Sequence, residues 1–597
     1  MSATDRRALA KLLDTALADH RAGRLDAAKA RYREILRLDP AQASALHLLG
    51  QITFIQGDPQ SAIAMVRQAV ANDRRNVDFR NTLTSMFLRL GQGAEAEAEA
   101  RGVLKLDRTD IGAMINLGLA LMARMALGEA ESILAAAVKR APDNPVALAN
   151  LGAVQQKAER PAAARDTLER AVTLAPGNAA AWGNLAAAAA KLGDPERAAA
   201  AAEHALTLDP GNATAHAVRG DLLFESNRVT ESIVFYERAA ALRTDDAVFA
   251  GKLANAYMNV GRAKEALAMF DRARALAPDD RRARYNMSLC QLMTGDLDAG
   301  LENYEARLDL PELNLNVQTT ERPVWQPNDA SDIRLLVTRE QGIGDQILNA
   351  VFLDAARRRG MGAIMYQCDA RLVALLERSV VGIGIVSADL PPPEHDRQIA
   401  AGSFHRALRS RGGEPEIRQG WLRPDPTRLA HFRAQLASLG AGPWIGLSWR
   451  SERRRVEKSM PLAEWAPILR LKGLNFVNLQ YGDTNDDIAA VSADFGVTVH
   501  TNPDLDRFAD IDGLAALTAA LDGVVTISNV TAHISGAIGL PTLVALQKVP
   551  LWYWGLEAER SPYYPSLRLF RQREAGGWLD VAERIAAALA KQTSLSP

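Results

Sequence analysis

A 34-residue period governs the first half of the chain, and no other feature limits the possible folds so tightly. Gly23, Gly57 and Gly91 stand 34 residues apart; Gly118 and Gly152 repeat the step, as do Ala164, Ala198, Ser232 and Ala266. Pro142, Pro176 and Pro210 share a second register with Pro40 and Pro278. In "AAWGNLAAAAAKLGDPERAAAAAEHALTLDP" (180–210) apolar residues recur at helical spacing, Gly193 separates two helices, and Pro210 closes the second. Such a helix pair cannot bury its apolar stripe alone, so successive pairs must stack into a superhelix. A period of this length divides residues 1–311 into about nine units.

Asn116, Asn150, Asn184 and Asn286 fall on one position of the first helix of a unit. Each carboxamide can donate to one peptide carbonyl and accept from one peptide N–H, so a ladder of them suits an extended acceptor polypeptide. The alternative, that these residues cap or pack locally, stays open at this stage.

The period fades after "GDLDAGLENYEARLDL" (295–310). Pro311, Pro323 and Pro327 then mark a junction over 312–330. From Ile333 onward β-branched runs alternate with helical patterns: IRLLVTRE, AIMYQC and VGIGIVS, then WIGLSW, FVNLQYG, VTVH, VVTIS and TLVAL. This predicts two α/β halves built on parallel sheets, 331–430 and 443–597, with helices over 461–471 and 513–521. Ligands of such sheets bind outside the carboxyl ends of the strands.

Three stretches fall on that edge. In "SNVTAHISGAIGLPT" (528–542) a buried strand ends and a helix starts, predicting free helix amides flanked by the Ser528 and Thr531 hydroxyls and the His533 imidazole. The competing role for a lone histidine is structural. In "VTREQGIGDQIL" (337–348) Gly342 and Gly344 permit a tight turn and Asp345 opens the next helix, where capping is its simplest role. The full GxGxxG fingerprint is missing, since Ile occupies position 347, which disfavours a nicotinamide dehydrogenase. "SWRSERRRVEKSMPLAEW" (448–465) gathers cations; Arg450 and Lys458 are expected in the cleft and Arg453, Arg454 and Arg455 in solvent.

Composition narrows the classes. Lys and Arg total 70 against 71 Asp and Glu, so no global field draws the chain to nucleic acid or an anionic membrane. Hydrophobic residues make up 48%, enough to fill more than one core. The two cysteines have no metal or disulfide spacing, no HExxH cluster occurs, and neither a signal peptide nor a membrane span is evident. A cytoplasmic, metal-independent protein without a bound cofactor is expected.

Together, "QGIGDQI", "GLSWRS" with "KSMPLAEW", "NLQYGD", "TISNVTAHISGAIGLPT" and "SPYYPSLRLFRQ" resemble the transferase half of bacterial tetratricopeptide-repeat glycosyltransferases, which is similar to the lipopolysaccharide heptosyltransferases. The resemblance covers residue 295 to the end. With the repeats it extends to the flagellin glycosyltransferases, and it implies a GT-B fold with two Rossmann-like halves. It also implies capture of flagellin by the repeats and transfer of a nonulosonic acid, such as pseudaminic acid, from its CMP-linked form. By the same resemblance Asp345 is the base, and Gly342, Gly344, Arg450, Lys458, Gln480, Ser528, Asn529, Thr531 and His533 lie on the donor side. The family commonly reads Asp-Ser or Asp-Thr where this chain has Ser528-Asn529. That departure keeps two alternatives open: a UDP-N-acetylglucosamine donor, or a non-catalytic repeat scaffold with a degenerate transferase half.

Overall fold

The structure, a computed structural model, describes residues 3–330, 332–451 and 458–593. Among them, nine helix pairs run from Ala3–Arg21 with Leu25–Leu38 to Arg281–Thr294 with Leu297–Tyr304. First helices begin at Ala43, Val77, Ile111, Pro145, Ala179, Ala213, Ala247 and Arg281, each 34 residues after the last. The sequence sets these starts locally. Asn76, Asp110, Asn144, Asn178, Asn212, Asp246 and Asp280 each cap a first helix by accepting the N–H three residues on.

Between the helices of a pair the chain turns through one left-handed residue. Glycine takes that position at Gly23, Gly57, Gly91, Gly193, Gly261 and Gly295; Met125, Glu159 and Asn227 take it at φ of 59°, 58° and 61°. Gly118 and Gly152 serve a different need: a Cβ there would lie 2.5 Å and 2.4 Å from the Cγ atoms of Leu134 and Leu168, so the paired helices touch only because the position is bare.

One compact unit runs to Thr244 and a second starts at Asp245. In the second unit the last two helix pairs are fastened to the α/β region that follows. Arg307, in a 3-10 turn after the last repeat helix, is fully buried with Glu340, 2.6 Å from Oε1 and 2.8 Å from Oε2. Arg307 also donates to Ser403 Oγ at 2.9 Å, and Glu340 accepts the Gly402 N–H at 2.9 Å. Burial opposes the charge on both partners, yet their mutual attraction holds Arg307 above and Glu340 below its ordinary pKa.

Among the described residues the α/β region holds ten strands, in two wholly parallel sheets. The first contains β1 (Leu335–Thr338), β2 (Ile364–Cys368), β3 (Gly384–Ser387) and β4 (Arg397–Ala400), in the order β3-β2-β1-β4. The second contains β5 (Trp444–Ser448), β6 (Asn475–Asn478), β7 (Val499–His500), β8 (Gly523–Ile527), β9 (Thr542–Leu546) and β10 (Leu567–Arg571), in the order β10-β9-β8-β5-β6-β7. Strand order reverses between β1 and β4 and between β5 and β8, which opens a crevice at each carboxyl edge. Glu340 follows β1 and Ser403 follows β4, and Arg307 bonds to both.

Two local expectations are corrected. The helix predicted over 461–471 is a 3-10 turn, Leu462–Trp465, followed by a single turn, Ala466–Leu469, because Pro467 lacks the N–H a continuous helix requires. The helix after β8 begins at Val530, so Thr531 lies in its first turn rather than before it. No helix among the described residues is long and apolar enough to cross a membrane.

Candidate functional site

The helices Ile343–Arg358 and Val530–Ile538 meet through Gly344 and His533. A Cβ on Gly344 would stand 2.8 Å from His533 Cδ2 and 3.2 Å from Nε2. Gly344 is therefore needed for space. The left-handed residue of the turn is Gln341 at φ 59°, while Gly342 is extended at φ −85°, ψ 176°. Asp345 caps its own helix by accepting the Gly342 N–H at 3.2 Å. Its charge also reaches Tyr553 and Tyr564, whose pKa values are raised first by burial and then by this carboxylate.

His533 is 3% exposed and boxed by aromatic rings: Tyr553 and Trp554 at 5.3 Å and Tyr564 at 5.7 Å between centroids. Nδ1 lies 3.2 Å from the Tyr564 hydroxyl. Burial, assisted by the Lys458 charge, pushes its pKa down to about 3, so the imidazole is neutral and any contribution to anion binding comes from an N–H.

Asn529 accounts for much of the helix mouth. Its Oδ1 accepts the Thr531 N–H at 3.0 Å and the Thr526 hydroxyl at 3.0 Å, and its carbonyl accepts the Ala532 N–H at 3.2 Å. Two amides expected to face the cleft are thus bound within the cap. Its Nδ2 donates to Ser448 Oγ at 2.8 Å and towards the Arg450 carbonyl at 3.4 Å, tying β8 to β5 across the crevice. A carboxylate cannot donate those bonds, which gives the Asn in place of Asp a structural reason. Ser528 Oγ accepts from Trp554 Nε1 at 2.9 Å. Thr531 Oγ1 is buried with no hydrogen-bond partner, a polar atom left at the mouth.

The other predicted donor-side residues divide. Gln480 is fully buried, and its Oε1 accepts from Ser448 Oγ and the Trp449 and Arg450 amides at 3.1, 3.0 and 2.8 Å, so it holds the end of β5. Arg450 turns to Asp487 at 3.3 Å and to the Asp483 carbonyl. Lys458 is close enough for its charge to act on His533. Arg453, Arg454 and Arg455 lie outside the described residues. Trp552–Trp554, in the "LWYW" run after β9, were not predicted; three aromatics in four residues were the available signal.

In the repeats, Asn150 donates to the Val146 carbonyl of its own helix at 2.9 Å, and Asn286 to Asn255 Oδ1 at 2.9 Å. Asn116 and Asn184 are half-buried on the corresponding position of the helices Ile111–Ala123 and Ala179–Lys191.

The helix pairs form a solenoid of tetratricopeptide-repeat type over about the first 300 residues, and parallel sheets follow it. Residues 13–77, 150–213, 188–247 and 252–310 match the tetratricopeptide-repeat family. The chain is similar to Protein FlbA of Caulobacter vibrioides, 34% identical over 323 residues that cover 50% of this chain and 53% of that protein. It therefore spans about half the length of that curated relative. Among solved structures it is similar to a tetratricopeptide repeat protein from Parabacteroides merdae, 17% identical over 41% of this chain and 98% of that one, with a TM-score of 0.36. It is also similar to a thermophilic tetratricopeptide-repeat protein of Thermus thermophilus, 25% identical over 30% of this chain and 99% of that one, with a TM-score of 0.28.

Proposed function

We propose that the chain is a protein O-glycosyltransferase of GT-B type, which moves a sugar from a nucleotide donor to a serine or threonine hydroxyl of a protein captured by the repeats. The observation that carries this reading is the contact of Gly344 with His533, which sets the helix capped by Asp345 against the helix that follows β8, where charges of both signs act. The Asp345 carboxylate acts on Tyr553 and Tyr564 from one sheet region, and the Lys458 ammonium acts on His533 from the other. In the reaction, the hydroxyl oxygen bonds to the anomeric carbon, its proton passes to Asp345, and the bond from that carbon to the donor phosphate breaks. Lys458 and the Thr531 hydroxyl stabilise the departing nucleotide, and direct displacement inverts the anomeric centre. What the resemblance implies is a CMP-linked nonulosonic acid, such as pseudaminic acid, as the donor and flagellin as the acceptor. Asn116 and Asn184 are the ladder residues with amides to offer to an acceptor backbone.

A second reading, a non-catalytic scaffold, draws on the Ser528 hydroxyl already bound to Trp554 and on the capped amides of the helix mouth. One experiment separates the two. Purified full-length chain is incubated with flagellin and either CMP-pseudaminic acid or UDP-N-acetylglucosamine, and the acceptor is weighed by intact-mass spectrometry. Added mass with one donor, lost in Asp345→Asn, supports the transferase; an unchanged acceptor with both donors supports the scaffold.

A further inference from the structure

A cavity of about 20 Å³ lies beside Asp345 on the side of the last repeat helix. Its wall joins three parts of the second unit: Leu301 and Tyr304 from the repeats, Asp345 and Asn349 from the helix Ile343–Arg358, and His405 from the helix Ala401–Gly412. Asn349 follows Asp345 by one helical turn, so both side chains project from one face.

His405, in the wall of this cavity, carries a buried polar atom left without a partner. The ring is 3% exposed and stacks on Phe352, with centroids 4.2 Å apart and planes 17° from parallel. Nε2 sits 2.9 Å from Glu414 Oε1, so this nitrogen carries the proton and Nδ1 keeps a bare lone pair. Burial and the nearby Arg409 charge push the pKa down to about 3, and Arg409 also pairs with Glu414, so the ring stays neutral. Nδ1 is buried without a hydrogen-bond partner. An acceptor atom stranded in this way is costly unless a donor arrives to meet it.

We propose that this cavity receives the side chain of the serine or threonine to be modified, placing its hydroxyl against Asp345. Size selects the occupant: the space holds one or two waters or a hydroxymethyl group, and excludes a sugar or a nucleotide. In the filled pocket the hydroxyl accepts from Asn349 and donates to His405 Nδ1, and Asp345 takes its proton as the bond to the sugar forms. Leu301 and Tyr304 belong to the last repeat, so a polypeptide guided along these final helix pairs reaches the base without leaving the protein. The assignment rests on the transferase reading above and adds the acceptor pocket to it.

The test uses full-length protein, flagellin, and the donor that labels it, with two variants. Asn349→Phe fills the cavity from a partly exposed position. His405→Phe preserves the ring stack and removes the lone pair. Two quantities are measured: transfer to flagellin, and the dissociation constant for the donor, whose binding needs no acceptor pocket. Both variants are expected to lower kcat/KM for flagellin by about tenfold or more, mainly through KM, with donor affinity within about twofold of wild type. Unchanged transfer by Asn349→Phe overturns the pocket and leaves the transferase standing. Equal losses of transfer and donor affinity overturn it as well, because they indicate general damage. A wild type that neither labels flagellin nor binds any donor overturns the transferase reading, and the pocket with it.

Discussion

Gly344 and His533 touch across two helices, with a virtual Cβ of the glycine 2.8 Å from the imidazole Cδ2. His533 cannot retreat, because Tyr553, Trp554 and Tyr564 surround it. The smallest residue in one α/β half thus sets how closely the carboxylate of Asp345 approaches the histidine cluster of the other.

Gly344→Ala is therefore expected to part the two helices or displace the ring, at a cost of about 1–3 kcal/mol. Urea unfolding followed by tryptophan fluorescence measures it, since Trp554 lies in the cluster. Gly251→Ala, which would meet nothing within 4 Å, is the control and should leave the midpoint in place or raise it.

Asn529→Asp tests why the amide stands there. The carboxylate would retain the cap to the Thr531 N–H but lose the donation to Ser448 and face the Arg450 carbonyl. A loss of about 1–3 kcal/mol is expected in thermal unfolding, from acceptors turned on one another in a buried site. An unchanged melting temperature would show that the link between β5 and β8 does not depend on the amide.

How much of this was legible in the sequence differs between the halves. In the repeats, Gly23 and Gly57 announced the turn because left-handed backbone favours glycine, and the 34-residue spacing located the helix pairs. The same turn at Glu159 left no trace, since only the backbone repeats there. In the α/β region, eight of the ten described strands were visible as β-branched runs, but β4, with the sequence RQIA, and β10, with LRLFR, carry too many polar residues to stand out. Gln480 was read as a donor ligand from its motif; its three hydrogen bonds to the end of β5 depend on tertiary contacts that no spacing encodes. Arg307 and Glu340 went unnoticed for the same reason: a single pair 33 residues apart has no period.

That pair leads to a sharper expectation. Arg307→Met leaves Glu340 buried without a counter-charge and should cost about 3–5 kcal/mol. Arg307→Met combined with Glu340→Leu removes both charges and should recover most of the loss, as read from melting temperatures of the two variants. Failure of the double variant to recover would mean that Ser403 and the Gly402 amide, rather than the charge balance, depend on the pair.

Acid should destabilise the second unit through two histidines. His405 and His533 are both held near pKa 3 in the folded chain against an ordinary 6.5. Above pH 6.5 neither state binds the proton, and their burial adds no pH dependence. Between 6.5 and 3 the unfolded chain takes protons that the folded chain refuses, so each histidine removes about 1.4 kcal/mol per pH unit. Urea midpoints between pH 7.5 and 4.5 should fall accordingly, and His405→Phe should flatten the slope by one proton's share. An unaltered slope would mean that His405 is protonated in the folded protein.

The three non-glycine turn residues allow a graded test of the repeat backbone. A left-handed conformation costs an ordinary L-residue about 1–2 kcal/mol, and asparagine less. Met125 and Glu159 are exposed and hold φ near 60° in the turn that glycine occupies elsewhere, so little packing is lost on replacing them. After the extra freedom glycine gives the unfolded chain, Met125→Gly and Glu159→Gly should each raise stability by about 0.5–1 kcal/mol, and Asn227→Gly by less. The reverse change, Gly193→Ala, should lower it by a similar amount, because its Cβ would meet no atom within 4 Å and only the backbone strain remains. Thermal unfolding of the four variants would give that ranking if φ alone governs the turn. A Gly193→Ala protein as stable as the parent would show that the turn relaxes away from the left-handed conformation at little cost.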